Sequence, residues 1–248
     1  MLRDPTQYSV ENPTTRPRVL KVGGVVPFTA ADFPGQLAAV VFVQGCSWRC
    51  GYCHNPHLQK RIRHGNVEWG RVKDMLTRRM GLLDGVVFSG GEPTTDPALR
   101  EAIGEIRALG FKTGLHTAGT HPARLKEILP LLDWVGLDVK APFESYSRIT
   151  QIKNSGDQAL NSLTAVLAGG VNYECRTTLH PVLLPEIEIL NLARELMQRD
   201  VKNYVLQIFR ALGCNDPRLN AASTVGYPSD SLVEQLKGMF PRFTLRRG

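Results

Sequence analysis

The chain has 248 residues, 42% of them hydrophobic, and a formal net charge of +7. This is enough for one large α/β domain with a sizeable core. The longest apolar run, Leu37 to Val43, is far too short to cross a bilayer, so no membrane partner is expected. The opening MLRDPTQYSVENPTTRPR carries acids and no apolar stretch, unlike a secretion signal or a typical transit peptide. Residues 1–20 are therefore expected to form a flexible arm, and 21–248 a single domain.

Hydrophobic patterning then alternates between short β-branched runs and longer helical stretches. AAVVFV at 38–43 reads as the first strand, followed by the loop QGCSWRCGYCHNP at 44–56 and a helix near 68–80. GVVFS at 85–89 is the next strand. The helix after it, 96–109, is expected to start at Asp96-Pro97, a cap with proline at the first helical position, and to close at Gly110. Strands at 111–116, 134–139, 173–179 and 203–208 alternate with helices near 121–131, 157–168, 186–199 and 229–239. The closing PRFTLRRG reads as a solvated charged tail. Six βα repeats without a linker argue for a parallel sheet in one domain. Periodicity does not separate a barrel from a doubly wound sheet, but no G-x-G-x-x-G follows the first strand, which weakens the dinucleotide-binding option.

Polar residues gather just after the strands. Cys46, Cys50 and Cys53 follow the first, Gly90, Gly91 and Glu92 the second, Thr117 the third, and Asp138 and Lys140 the fourth. Arg176, Thr178 and His180 run off the fifth strand, and Gln207 and Arg210 off the sixth. In barrel-type folds the carboxyl ends of the strands build one chemical face. Asp138 and Lys140, two residues apart, would point to one side of a continued strand. Arg176, Thr178 and His180 share a parity that Cys175 lacks, which sends Cys175 to the helix side.

The five cysteines are odd in number, and three stand at C-x3-C-x2-C, which favours a metal or redox site in a reducing cytosol over disulfides. Three thiolates can hold zinc if His54, His57 or His64 completes the set. They can also hold three irons of a four-iron cluster and leave the fourth open to a small molecule. From Phe33 to Val67 there is no Asp or Glu but there are Arg49, Lys60, Arg61 and Arg63, a basic collar able to steer an acidic partner. No alternation of aromatic and basic residues supports nucleic acid.

The C-x3-C-x2-C loop with Tyr52 before its last cysteine resembles the signature of radical S-adenosylmethionine enzymes. FSGGEP at 88–93 is similar to that family's glycine–glycine–glutamate motif, and LDVK at 137–140 to a stretch of glycyl-radical-enzyme activases. VGGVVPFTAADFPG at 22–35, GLHTAG at 114–119 and LQIFR at 206–210 look most like the activating proteins of anaerobic ribonucleoside-triphosphate reductase. The resemblance spans about residues 20 to 215. It implies an α/β open partial (β/α)6 TIM-type barrel and one [4Fe-4S] cluster held by Cys46, Cys50 and Cys53. It also implies S-adenosylmethionine chelating the unique iron, cleaved by one electron to methionine and a 5′-deoxyadenosyl radical that makes a glycyl radical on the reductase. The chemistry is the cofactors', and the protein positions them.

Under that resemblance Tyr52, Gly90, Gly91, Glu92, Thr117, Asp138, Lys140, Arg176, His180, Gln207 and Arg210 are the expected S-adenosylmethionine-side residues. Glu92 would accept from the methionine ammonium, and the two glycines would let backbone approach the ligand. A flavodoxin or ferredoxin-type donor and a cytoplasmic location follow. Pyruvate formate-lyase activases carry D-T-N-G where this chain has His116-Thr117-Ala118-Gly119, so their monovalent-cation site is not expected here. Activation of pyruvate formate-lyase, action on a small molecule, and a zinc-stabilised binding protein without catalysis are the competing readings.

Overall fold

The computed structural model describes residues 18–247, and residues 1–17 of the expected arm lie outside that range. Leu20 is buried in the core, and the Lys21 amide donates to Asp96 at 3.1 Å, so the chain joins the domain by that point.

Eight strands form one sheet. In chain order the elements are β1 (Val22–Thr29), β2 (Ala38–Val43), α1 (Trp69–Thr77), β3 (Gly85–Gly90), α2 (Leu99–Ala108), β4 (Lys112–Thr117), α3 (Pro122–Ile128) and β5 (Trp134–Asp138). They continue with α4 (Tyr146–Thr150), α5 (Ser155–Ala168), β6 (Asn172–Leu179), α6 (Glu186–Gln198), β7 (Asn203–Ile208), α7 (Pro217–Ala221), α8 (Asp230–Met239) and β8 (Arg242–Arg246). Strand order in space is strand order in sequence, β1 to β8; β1 is antiparallel to β2 and every later pair is parallel. A doubly wound sheet would reverse direction at a switch point. This sheet winds one way only, so right-handed crossovers put the helices on one face and curl it into an open partial barrel.

Alternation along the strands sorts the core into two layers. Ala39, Val41 and Val43 of β2 face the helices with Phe88, Leu115, Leu137, Cys175 and Leu206. Ala38 and Val40 face the lumen with Val87, Trp134 and Phe33. Phe33 comes from the loop after β1, which turns back into the barrel. Its ring stacks on Trp134 at 5.9 Å and lies against the faces of Gly85 and Gly114. Burying a phenylalanine side chain contributes about 1.5–3 kcal/mol, which holds this plug in place.

Several local expectations are corrected. PRFTLRRG is not a solvated tail but contains β8, whose Phe243 and Leu245 pack on the core. Its Arg246 makes a two-pronged ion pair with buried Glu174 at 2.7 and 2.8 Å. VGGVVPFT forms β1, an edge strand where Pro27 is tolerated. The helix expected from Asp96 begins at Leu99, because Asp96 accepts the Ala98 amide at 2.9 Å in a turn of its own. Gly110, at φ +88°, ends that helix as expected.

Candidate active site

The loop after β2 is fixed at both ends by backbone. Gly45 N–H donates to the Leu58 carbonyl at 2.7 Å and Cys46 N–H to that of Gln59 at 3.0 Å, closing Cys46–Leu58 into a compact lobe. The loop after β3 seats against it, with Gly91 N–H on the Val43 carbonyl at 3.0 Å and Glu92 N–H on that of Gly45 at 2.8 Å. This contact explains the glycine pair. A Cβ on Gly90, whose φ is +125°, would lie 2.4 Å from Val43 backbone, and one on Gly91 would lie 2.5 Å from the Gly45 carbonyl. The glycines are required for one loop to approach the other, and both also line the cavity into which the sequence placed them.

One cavity opens at the carboxyl ends of the strands. It is lined by Cys46, Cys50, Cys53, Tyr52, Gly90, Gly91, Glu92, Thr117, Asp138, Lys140, Arg176 and Gln207, all expected from the sequence. His180 and Arg210 do not line it. The strand ends at Leu179, and parity ends with it. The His180 ring turns away, within 3.0 Å of the Leu219 carbonyl, and lies edge-on to Phe209. Arg210 is exposed and offers only its carbonyl, which accepts from His54 Nε2–H at 2.9 Å. His54 also stacks on Phe209, while His57 and His64 are exposed. The His54 Nε2 that could have completed a zinc site is thus engaged by the Arg210 carbonyl. Among the described residues no three His, Cys, Asp or Glu side chains converge as a single metal ion needs.

Glu92 is fully buried. One oxygen accepts from the Thr94 amide at 3.1 Å and from the Thr94 and Thr117 hydroxyls at 2.6 and 2.7 Å. The other accepts only the Ala118 amide, at 2.8 Å. Burial pushes this carboxyl upward against those hydrogen bonds, and no cation pairs with it among the described residues. An ammonium group supplied from the cavity would complete it.

Opposite, Asp138 accepts from Arg176 Nε at 3.0 Å and from Lys140 Nζ at 3.4 Å. Burial raises its carboxyl, but the guanidinium and the ammonium together hold it below the usual range. Burial works against the Lys140 ammonium too, yet Tyr52, Asp138 and Cys50 more than offset it and hold the charge firmly. Lys140 lies 5.5 Å from the centre of the Tyr52 ring. β5 ends at Asp138, but contact with β6 continues beyond it: Val139 N–H donates to the Arg176 carbonyl and the Thr177 hydroxyl to the Val139 carbonyl, while Asp138 and Lys140 both line the cavity. Arg176 and Thr178 face the cavity, and Cys175 is buried on the helix side.

Burial, with the Glu92 carboxylate second, pushes the Cys46 thiol up to about 12, and burial likewise raises Cys50. With nothing bound these thiols keep their protons. A bound metal centre releases them, so loading is coupled to pH.

Sequence reasoning gave no role to Asp32, Ser89 or Trp48, which also line the cavity. His116, known only as a departure from a relative's motif, is placed by two contacts. Its Nε2–H donates to the Asp32 carbonyl at 2.9 Å, and Nδ1 faces the Ser89 hydroxyl at 3.5 Å. Burial, then the Arg176 charge, lowers its pKa to about 3, so the ring is neutral. The signal for Asp32 was ADFPG, whose aromatic carries the backbone into the lumen.

Residues 40–206 match the radical SAM superfamily model. The chain belongs to the radical S-adenosylmethionine superfamily. It is 31% identical over 200 residues to a protein assigned as a glycyl-radical enzyme activating enzyme in Methanocaldococcus jannaschii, covering 76% of this chain and 79% of that one. It is equally 31% identical to the pyruvate formate-lyase-activating enzyme of Clostridium pasteurianum, over 74% and 79% of the two. Among solved structures, QueE from Escherichia coli superposes with a TM-score of 0.56 at 15% identity, over 93% of this chain and 95% of that one. Streptococcus suis SuiB bound to its precursor peptide SuiA gives 0.62 at 14%, and this chain spans about half (48%) of SuiB while 84% of its own length is covered. These last two likenesses concern the fold.

The chain is thus a radical SAM enzyme of the glycyl-radical-enzyme activating kind, with one [4Fe-4S] cluster and S-adenosylmethionine as cofactors. The donor set fits both. Three thiols line one cavity, a buried carboxylate there lacks a cation among the described residues, and a lysine and an arginine line the same cavity.

Proposed function

We propose that this radical SAM enzyme installs a glycyl radical on anaerobic ribonucleoside-triphosphate reductase. When bound, the cluster and S-adenosylmethionine supply a 5′-deoxyadenosyl radical for hydrogen abstraction. Cys46, Cys50 and Cys53 hold the iron, Glu92 takes the methionine ammonium, and Lys140 with Arg176 meets its carboxylate. Asp138 holds those two cations in place, and Tyr52 walls the adenine side.

The observation that carries the reading is a buried, charge-complementary cavity inside a barrel that does not close. Phe33 plugs it from below, so a polypeptide loop enters from the open side or from above. The motifs VGGVVPFTAADFPG, GLHTAG and LQIFR favour the ribonucleotide reductase as partner. Identity to the Clostridium pasteurianum enzyme favours pyruvate formate-lyase as the second reading, but His116 and Ala118 depart from the D-T-N-G stretch of that group. Among the described residues no helix is long and apolar enough to cross a membrane, and thiols kept reduced for iron suit the cytoplasm. The test is electron paramagnetic resonance. Anoxic holoenzyme with reductant and S-adenosylmethionine should give a glycyl-radical doublet on the reductase and none on pyruvate formate-lyase; the reverse pattern selects the second reading.

A further inference from the structure

Among the described residues, the main chain of residues 50–55 makes no backbone hydrogen bond to anything outside the cysteine loop. The limb that carries Cys53 is held by side chains instead. On one side Tyr52 is buried in the core. On the other, the segment after β7 braces His54. The Phe209 amide donates to the Leu179 carbonyl at 2.9 Å, which carries the contact between β6 and β7 one residue past the strand. The buried Phe209 ring stacks on His54 with centroids 5.5 Å apart and planes at 27°. The His180 ring meets Phe209 edge-on at 4.9 Å. Two hydrogen bonds fix that ring and its tautomer: Nε2–H donates to the Leu219 carbonyl at 3.0 Å, and Nδ1 accepts the Val182 amide at 3.2 Å. The chain beyond Phe209 stays against the same limb. A Cβ on Gly213, whose φ is +90°, would lie 2.4 Å from the His54 carbonyl, and Cys214 Sγ lies 3.6 Å from that of Gly51.

His54 lines the cavity, but neither Phe209 nor His180 does. Their stack therefore ends on the neighbour of an iron-holding thiol without itself meeting the cofactor. We propose that Phe209 and His180 are positioning residues for the cluster, which act through His54 to set the place of the Cys53 thiolate. Groups that orient a metal's ligands tune both its retention and its electronic surroundings. Without the stack no backbone bond holds this limb in register. The Cys53 thiolate then leaves its iron more readily and meets it in a spread of orientations. The inference rests on the radical SAM assignment alone and holds whichever glycyl-radical partner the enzyme serves. It also gives a role to His180 and to the LQIFR stretch, whose phenylalanine lies outside the cavity.

The test uses anoxically reconstituted holoenzyme. Phe209→Leu keeps an apolar side chain and removes the ring, while His180→Leu removes the edge contact and both hydrogen bonds. Each should release iron to excess ferrous chelator about tenfold faster than wild type, the low end for losing a group that orients a metal ligand. Each should also broaden the electron paramagnetic resonance signal of the dithionite-reduced cluster, which a general loss of stability does not move. Because both act through one stack, the double variant should release iron no more than about twofold faster than the faster single. Leu236→Ala, a core truncation on α8, should lower the urea midpoint of cluster-free protein yet leave iron release and the signal as in wild type. An acceleration below fivefold in either stack variant, an unbroadened signal, effects that multiply in the double variant, or equal acceleration in Leu236→Ala overturns the proposal. Wild type that takes up no four-iron cluster contradicts the radical SAM assignment instead, which keeps the two failures apart.

Discussion

Glu92 and His116 show how burial sets the chemistry of single side chains. Burial pushes the Glu92 carboxyl upward while hydrogen-bond donors alone oppose it, one oxygen saturated and the other holding a single amide. Glu92→Gln removes the charge and points an amide N–H₂ at groups that themselves donate. A charge-assisted hydrogen bond contributes about 1.5–3 kcal/mol, so S-adenosylmethionine affinity should fall roughly 10- to 150-fold. Bound iron should stay unchanged; equilibrium dialysis and iron assay read the two separately. His116 has its folded pKa depressed to about 3, chiefly by burial. Its contribution to stability is full above the unfolded value near 6.5 and is lost as pH falls from there toward 3, because only the unfolded chain takes the proton. Between those values the loss is about 1.4 kcal/mol per pH unit. In cluster-free protein, His116→Gln should therefore flatten the fall in urea midpoint between about pH 6.5 and 4; His54 and His121, also lowered chiefly by burial, keep their share in both proteins. An unchanged slope would contradict the placement of His116.

At the scale of elements, the six central strands were legible because β-branched runs bounded by turn residues carry their own signal. The edges were not. β1 contains two glycines and a proline, and β8 is dressed in arginines, so local chemistry argued against both while pairing to β2 and β7 decided the outcome. In β8 the alternation was present in R-F-T-L-R, hidden by the charge run. The site was legible for the same reason that polar residues follow strand ends. His180 and Arg210 were misplaced because parity holds only while the strand lasts. The loop carrying Asp32 and Phe33 into the lumen left no periodic trace at all. Two predictions belong here. Arg246→Ala strands the nearly buried Glu174 carboxylate and should cost about 3 kcal/mol, the lower end of the range for breaking a buried pair. Glu174→Ala leaves a half-exposed guanidinium and should cost less, so denaturant midpoints should rank Glu174→Ala above Arg246→Ala. Gly91→Ala forces a methyl into the Gly45 and Leu58 carbonyls, at 2.5 and 2.7 Å. It should lower iron bound per chain on anoxic reconstitution, with far-ultraviolet circular dichroism unchanged.

On the whole molecule, a one-way sheet makes two unlike surfaces out of one loop. Inside the curl lie the thiols, the carboxylate awaiting a cation and the Asp138 pair; outside lies a basic cleft, lined by Arg49, Lys60 and Arg61, that shares Cys46. The lumen is plugged from below by Phe33 and open to one side, which leaves room for a large partner. The most direct measurement is 5′-deoxyadenosine released by anoxic, reconstituted enzyme given dithionite and S-adenosylmethionine. The wild type should form it, and Cys50→Ala, which withdraws one thiolate, should form none. Wild-type protein with a full complement of iron and sulfide that releases no 5′-deoxyadenosine, or a Cys50→Ala variant that releases as much, would contradict the account.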